Sequence, residues 1–261
     1  MYILQNPECE EQKYLIPEYF TKGQLKQLYM HCLATFFPDN NLKADIVKAI
    51  VGPEFVELGL GTNRIAFLYN GMVVSIALDR RGAIDNFQEF KRSIEAPEYF
   101  VKCYETNMII LIEEYATLMD EREFRENEAG IKMILEDLAK AYIFEDIGFT
   151  VKNYENWGYR SNGDIVCIDL GYVYSLKGQE HTLTCPHCNA SLQYNHNYTG
   201  FVCQNKQCGK KYTTEDVVRR MDTTQMDLEN KTISMLNGIQ IPQIENLTDE
   251  FCYKYADAFQ D

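Results

Sequence analysis

The stretch EFVELGLGTNRIAFLYNGMVVSIAL, residues 54–78, gives the clearest indication of the fold. It contains three short runs rich in β-branched and aromatic residues, a composition typical of strands. Gly59 and Gly61 mark a turn between the first two runs, and Asn70-Gly71 is a strong hairpin signal between the last two. The stretch therefore predicts three consecutive strands joined by tight turns.

Helical patterns lie on both sides of these strands. Apolar residues recur at helical spacing in residues 1–53, and Gly52-Pro53 ends that pattern. The segment DNFQEFKRSI, residues 85–94, is predicted to be a helix capped by Asp85, and two further strands follow it. A long helix is predicted over residues 127–145. The mixture predicts an α+β fold.

Length, composition and charge narrow the class of protein. The chain has 261 residues, of which 46% are hydrophobic, enough for a buried core in two or three units. It contains no apolar run of membrane-spanning length and begins without a secretory signal pattern, so a cytoplasmic protein with no membrane contact is expected. The formal net charge of −14 argues against general nucleic-acid binding and suits a partner with a basic surface.

The nine cysteines are unevenly distributed, and four lie in the segment CPHCNASLQYNHNYTGFVCQNKQCGKKY, residues 185–212. Two closely spaced pairs on adjacent loops can place four thiolates around one Zn²⁺ ion. The predicted ligands are Cys185, Cys188, Cys203 and Cys208. The segment resembles a zinc ribbon, and because four thiolates leave no open position, this zinc is expected to be structural.

The surroundings of the cysteines leave the role of the ribbon open. His187 and His196 lie within the segment but are taken as bystanders, because the four thiolates already complete the ligand set. Six basic and three acidic residues between positions 177 and 220 give a local charge of +3. A folding or protein-contact role is favoured, and any nucleic-acid contact is expected only through the ribbon.

The order of elements over residues 55–175 resembles the protein-kinase-like fold: glycine hairpin, third strand, helix, two strands, long helix and metal-binding loop. Asn156 followed by Asp169-Leu170-Gly171 matches the magnesium-binding residues of that family. The continuation Asn156-Trp157-Gly158 is similar to that in short bacteriophage kinase-like proteins. The resemblance implies a Mg-ATP site formed by Gly59, Gly61, Arg64, Glu89, Asn156 and Asp169.

Two chemical parts of the kinase pattern are absent. Ser75 stands where the third strand of the family carries its lysine, and Val151 stands where the catalytic aspartate precedes Asn156. Valine cannot orient a hydroxyl group or accept its proton. No catalytic residue is therefore predicted, and a catalytically impaired, pseudokinase-like protein that binds or regulates another protein is expected.

Two alternatives remain open from the sequence. The chain could be an active Mg-ATP-dependent phosphotransferase or nucleotidyltransferase in which Arg64 or Arg80 replaces the missing lysine. It could instead be a structural or transcription-associated protein that acts through its ribbon, with Asp169 merely capping a turn before Gly171.

The predicted organisation has four parts. An N-terminal helical segment covers residues 1–53, a kinase-like N-lobe with a reduced C-lobe covers 54–180, the inserted zinc ribbon covers 181–213, and a C-terminal segment, 214–261, completes the C-lobe. The expected partner is another protein, and the expected location is the cytoplasm, meaning the host cytoplasm or the virion if the chain is encoded by a phage.

Overall fold

The computed structural model describes residues 4–9, 14–33, 39–144, 151–169, 173–176, 183–195 and 200–220. The chain divides into two compact units. Of the described residues, the first unit comprises those within Met1–Phe87 and Tyr104–Glu113. The second unit comprises Gln88–Cys103 and Glu114–Gln225.

The fold is α+β, as the sequence predicts. In chain order the helices are α1 (Ile16–Tyr19), α2 (Lys22–Leu33), α3 (Asn40–Val51), α4 (Arg80–Glu95), α5 (Glu121–Glu126), α6 (Glu128–Leu138) and α7 (Thr214–Val218). Short 3-10 helices cover Pro7–Cys9 and Val151–Asn156. None of the helices in the described ranges is both long and apolar enough to cross a bilayer.

Fourteen strands are described, and each is short. In chain order they are β1 (Leu4–Gln5), β2 (Val56–Leu60), β3 (Arg64–Tyr69), β4 (Met72–Ala77), β5 (Cys103–Thr106), β6 (Ile110–Glu114), β7 (Thr117–Leu118), β8 (Tyr142–Phe144), β9 (Trp157–Tyr159), β10 (Ile165–Cys167), β11 (Val173–Ser175), β12 (Leu192–Asn195), β13 (Gly200–Cys203) and β14 (Lys211–Thr213).

The first unit is organised around a six-stranded sheet with the order β1-β5-β6-β4-β3-β2. The three strands predicted from residues 54–78 are confirmed as β2, β3 and β4, which pair antiparallel. Between β3 and β4, Asn70 and Gly71 both adopt left-handed φ values, 49° and 77°. A two-residue hairpin of this kind requires such values, because they match the twist of the strands.

Helices α1, α2 and α3 pack against the first unit's sheet through an apolar core. Its buried members include Ile16, Leu28, Val47, Ile65 and Ile76. The helical spacing predicted within residues 1–53 is confirmed by α2 and α3, and α3 ends at Val51, directly before Gly52. Residues 34–38, between these two helices, lie outside the described part of the chain.

Helix α4 begins earlier than the sequence analysis predicts. The side chain of Asp79 accepts hydrogen bonds from the backbone N–H groups of Arg81 and Gly82, at 3.0 and 3.1 Å. Asp79 therefore caps the first turn. The predicted cap, Asp85, is wrong: it lies inside the helix, where it accepts a hydrogen bond from Asn63. The carboxylate of Asp79, two residues after the end of β4, supplied an earlier start signal.

The second unit contains three small sheets. Their strand orders are β10-β9-β7, β11-β8 and β12-β13-β14. A cluster of buried side chains that includes Phe100, Phe124, Leu135 and Trp157 forms its main core. A further cluster that includes Leu192, Phe201 and Val217 lies under the last sheet.

For the helix predicted over residues 127–145, the buried apolar face is confirmed, but the predicted C-terminal end is wrong. Ile131, Leu135 and Leu138 are buried as expected, but α6 ends at Leu138. The following residues, Tyr142–Phe144, form β8 and pair antiparallel with β11. Apolar residues alone suit a helix or a strand, and the distant partner β11 decides in favour of the strand.

The close packing of Gly82 against a backbone carbonyl can be tested. A Cβ atom at residue 82 would lie 2.1 Å from the carbonyl oxygen of Asn63, whereas one at Gly59 would meet no atom within 4 Å. We expect Gly82→Ala to lower the stability of the protein by about 2 kcal/mol or more, despite the better helix propensity of alanine. Gly59→Ala should leave the melting temperature nearly unchanged, and equal melting temperatures for both variants would contradict the packing described here.

Burial of His31 predicts a pH dependence of stability. His31 is 3% exposed in α2. Burial, reinforced by the charge of Lys43, lowers the pKa of His31 from 6.5 to about 4. Between pH 6.5 and pH 4, His31 is therefore protonated in the unfolded chain and neutral in the folded chain. Stability should fall across this range by about 3 kcal/mol from this residue alone.

The variant His31→Leu isolates this contribution, because the carboxylates that titrate in the same range are unchanged. Urea unfolding of both proteins at several pH values measures the difference. The decline in stability from pH 6.5 to pH 4 should be shallower in the variant. Parallel declines would show that His31 does not stay neutral in the fold.

Candidate functional site

The four predicted metal ligands come from two loops of the three-stranded sheet β12-β13-β14. Cys185 and Cys188 precede β12. Cys203 ends β13, and Cys208 lies in the loop between β13 and β14. Because β13 pairs with both neighbouring strands, the two loops emerge at the same end of the sheet. This arrangement brings two cysteine pairs together that are separated by fourteen residues in the chain.

Each cysteine pair lies in a tight turn that closes with a left-handed residue. Asn189 directly follows Cys188 with a φ of 58°, and Gly209 directly follows Cys208 with a φ of 54°. Asparagine and glycine are the residues that adopt this conformation most readily. The turns also direct backbone N–H groups at the sulfur atoms, as with the N–H of Lys210 and the thiol of Cys208.

The distances between the sulfur atoms match a metal-binding tetrahedron. All four Sγ atoms lie within 4.8 Å of one another. The Sγ atoms of Cys185 and Cys208 are 3.9 Å apart, and those of Cys188 and Cys203 are 3.4 Å apart. Zn–S bonds of about 2.3 Å in a tetrahedron place the sulfur atoms about 3.8 Å apart. The four cysteines could therefore hold a metal ion such as zinc.

The donor set is complete without histidine. All four cysteines are free thiols, and the cluster that the described residues form contains no other ligand type. His187 is exposed in the first turn. His196 lies outside the described residues. Four thiolates fill a tetrahedral shell, so a metal bound here has no open position for substrate.

Tyr212 is a contact of the cluster that the sequence analysis missed. Its hydroxyl group lies 3.2 Å from the Sγ atom of Cys185. Burial acts to raise the pKa of Cys185, but this hydrogen bond and backbone N–H groups lower that pKa to about 6. The same bond raises the pKa of the Tyr212 hydroxyl to about 12. The guanidinium group of Arg220 lies 5.4 Å from the centre of the Tyr212 ring. No spacing rule in the sequence identifies such a contact.

The nucleotide-site residues that the kinase resemblance designates fall into two groups. Gly59, Gly61 and Arg64 belong to the first unit. Gly59 is exposed in β2, and the backbone N–H of Gly61 donates to the carbonyl oxygen of Arg64 at 2.9 Å. The Arg64 guanidinium lies 3.4 Å from the side-chain oxygen of Asn86. The turn between β2 and β3 is thus formed as predicted, and the Arg64 guanidinium lies beside Asn86 in the middle part of α4.

Ser75, where the kinase resemblance implies a lysine, forms a hydrogen bond inside the first unit. Its hydroxyl group donates a hydrogen bond of 2.8 Å to a carboxylate oxygen of Glu113 in β6. Both residues are buried, at 6% and 5% exposure. Ser75 therefore takes part in a hydrogen bond that joins β4 to β6 inside the sheet. Glu113 was not among the sequence predictions, because the pairing spans 38 residues of the chain.

Glu89, Asn156 and Asp169 belong to the second unit. The hairpin of β9 and β10 brings the last two to the same end, because the N–H of Ile168 donates to the carbonyl oxygen of Asn156 at 2.8 Å. Asp169 is exposed, and Glu89 is buried in α4 at 1% exposure.

Two of these carboxylates act on one buried thiol, that of Cys167. Burial raises the pKa of Cys167, and the charges of Asp169 and Glu89 raise it further. Residues 170–172, which complete the predicted Asp-Leu-Gly element, lie outside the described part of the chain.

No protein-family model matches the chain, and no curated protein matches it. The function is therefore inferred from the residues themselves.

Metal binding by the four cysteines gives a direct prediction. We expect the purified chain to carry about one zinc ion, and Cys188→Ser to lose most of it, because a serine hydroxyl is a poor replacement for a thiolate. The zinc content is measured by mass spectrometry of the metal. Cys103→Ala, which changes a buried cysteine of the same unit outside the cluster, should keep the metal. Full zinc in Cys188→Ser would show that the cluster is not the metal site.

Proposed function

We propose that this chain is a kinase-like protein that has lost phosphate transfer and works by binding another protein, with a structural zinc ion holding its ribbon. The observation that carries the proposal is the buried hydrogen bond from Ser75 to Glu113. In protein kinases the corresponding strand supplies a lysine that contacts the ATP phosphates. Here the position carries a short, uncharged side chain that is engaged inside the sheet.

The order of elements in the first unit supports the kinase-like part of the proposal. The glycine hairpin of β2 and β3 leads into β4, helix α4 follows, and β5 and β6 come next. This is the order that the sequence resemblance implies. The sheet places β6 next to β4, so that Glu113 faces Ser75.

The energetics of phosphoryl transfer support the loss of catalysis. The reaction depends on positioning and on cations that stabilise the transferred group, and the loss of one such contact costs on the order of 10³-fold in rate. Lys43 of the first unit is already committed to Asp79 by an ion pair of 2.8 Å. At position 151 the chain offers valine, which supplies no general base.

The charge of the chain supports a binding role. With 39 acidic and 25 basic residues, the protein has a negative electrostatic potential that attracts a partner with a basic surface. A closed four-cysteine site suits a structural ion, because it holds short strands together and leaves no position for substrate. Both features fit a protein whose surface, and not a reaction centre, carries the function.

The test is titration calorimetry of the zinc-loaded chain with ATP, with and without Mg²⁺, together with a sensitive phosphate-transfer assay on a general protein substrate. We expect no phosphate transfer at long reaction times, and the same result for Asp169→Ala. The matched control is Asp164→Ala, which removes an exposed carboxylate from the turn of the same hairpin.

Magnesium-dependent turnover that disappears in Asp169→Ala and persists in Asp164→Ala would overturn the proposal. That result would favour the active transferase, in which Asn156 and Asp169 hold the metal. ATP binding that needs Mg²⁺ and Asp169, without turnover, would instead mean that the nucleotide serves as a structural ligand of a non-catalytic protein.

A further inference from the structure

The hydroxyl group of Tyr212 lies against the most buried of the four candidate metal ligands. Its oxygen atom, on β14, is 3.2 Å from the Sγ atom of Cys185. Cys185 is fully buried, whereas Cys188 and Cys208 are partly exposed. Water cannot solvate a buried sulfur atom, so a hydrogen bond from the protein has a larger effect on Cys185 than on an exposed cysteine.

The direction of this hydrogen bond follows from the chemistry of a bound metal ion. A cysteine that binds zinc is a thiolate, which can accept a hydrogen bond but cannot donate one. The Tyr212 hydroxyl is therefore the donor. Four thiolates around one divalent cation leave an excess of negative charge, and a donated O–H group disperses part of this charge in a buried site. Removal of the hydroxyl should therefore weaken the hold on the metal.

Tyr212 differs from the other donors to the same sulfur atom. The backbone N–H groups of His187 and Cys188 also donate to Cys185, but they belong to the turn that contains it. Tyr212 lies 27 residues further along the chain. Its hydrogen bond therefore ties β14 to the first cysteine loop, and a variant without it keeps the two backbone donors. Such a variant should still fold and bind metal.

Helix α7 brings a guanidinium group over the Tyr212 ring. The helix begins directly after Thr213, whose hydroxyl oxygen accepts from the N–H of Asp216 at 3.0 Å, while the Asp216 carboxylate accepts from the N–H of Thr213 at 2.9 Å. The chain then returns to Tyr212, where the guanidinium carbon of Arg220 lies 5.4 Å from the ring centre. A cation at this distance is attracted by the face of an aromatic ring.

Two hydrogen bonds fix the guanidinium group of Arg220 in this position. Its Nε atom donates to the carbonyl oxygen of Asp216 at 3.2 Å, and one terminal nitrogen donates to the carbonyl oxygen of Thr184 at 2.9 Å. Thr184 directly precedes Cys185. Arg220 therefore holds the tyrosine ring on one side and the backbone before the cysteine on the other.

We propose that Tyr212 is a positioning residue of the metal site: its hydroxyl group, held in place by Arg220, donates to the metal-bound thiolate of Cys185 and slows the loss of the ion. This role goes beyond the proposed protein-binding function and rests only on the structural zinc ion included there. Residues that hydrogen-bond to metal ligands typically contribute about 10- to 100-fold to metal affinity. The lower end is expected here, because two backbone donors remain.

The first experiment measures how fast the zinc-loaded full chain gives up its metal to an excess of a coloured chelator. We expect Tyr212→Phe to carry the same amount of zinc after purification and to release it about tenfold faster. Tyr194→Phe is the matched control, because it removes a hydroxyl group from β12 of the same sheet, where the ring packs against Phe201. Its release rate should equal that of the unchanged chain.

A second measurement separates the hydrogen bond from general packing. With Co²⁺ in place of zinc, light absorption transfers an electron from a thiolate to the metal, and the energy of this transition falls as the thiolate becomes more electron-rich. Removal of a hydrogen-bond donor makes the thiolate more electron-rich, so the charge-transfer band of Tyr212→Phe should move to longer wavelength. The band of Tyr194→Phe should not move, and the d–d absorption of tetrahedral Co²⁺ should be the same in all three proteins.

The contribution of Arg220 is tested with a double-mutant cycle. Arg220→Gln should speed zinc release in the unchanged chain and have a smaller effect in the Tyr212→Phe background, because residues in one network do not act additively. Arg219→Gln removes the same charge from the neighbouring residue, whose guanidinium group pairs with Glu215. This control should leave the release rate unchanged.

Equal release rates in Tyr212→Phe and Tyr194→Phe, or a charge-transfer band that does not move, would overturn the inference while leaving the metal site in place. Equal effects of Arg220→Gln in the two backgrounds would contradict the role assigned to Arg220. A chain that carries no zinc would overturn the metal site together with this inference. Phosphate transfer from ATP is assayed separately, so none of these results coincides with a failure of the protein-binding proposal.

Discussion

The carboxamide of Asn86 joins several segments of the first unit that are distant in the chain. Its amide nitrogen donates to the carbonyl oxygens of Met108 and Ile109, at 2.9 and 3.1 Å, and its oxygen lies 3.4 Å from the Arg64 guanidinium. The residue is fully buried in α4. A buried amide that lost these partners would cost about 1–3 kcal/mol for each unsatisfied group, so the helix and the turn between β5 and β6 have to keep this relative position.

The contacts of Asn86 also constrain Ser75 and Glu113, the two residues on which the proposed function rests. The turn held by Asn86 contains Met108 in a left-handed conformation with a φ of 75°, and it leads directly into β6. Through Ile109, whose carbonyl oxygen also accepts from the N–H of Ala77 at 2.8 Å, the turn fixes the end of β4. The bond between Ser75 and Glu113 joins these same two strands. Ser75 is thus part of a polar network inside the unit.

The second unit depends on a different constraint. Strands β12, β13 and β14 are three or four residues long, too short for a sheet to be stable through its own apolar surface. A metal ion held by the four cysteines would crosslink the two loops and supply stability that such a small core lacks.

Features that short-range chemistry encodes could be predicted from the amino-acid sequence alone. Residues 54–78 predicted three strands, because alternating apolar residues and an Asn-Gly turn are local signals. The spacing of the four cysteines predicted their cluster, since only a few backbone turns can join such pairs. Features that depend on a distant partner were decided by the tertiary structure. Residues 142–144 became a strand because β11 pairs with them, and Ser75 acquired its role only when β6 brought Glu113 beside it. The physical reason is that a strand or a buried polar group is stable only with its partner, and sequence proximity does not reveal which partner that is.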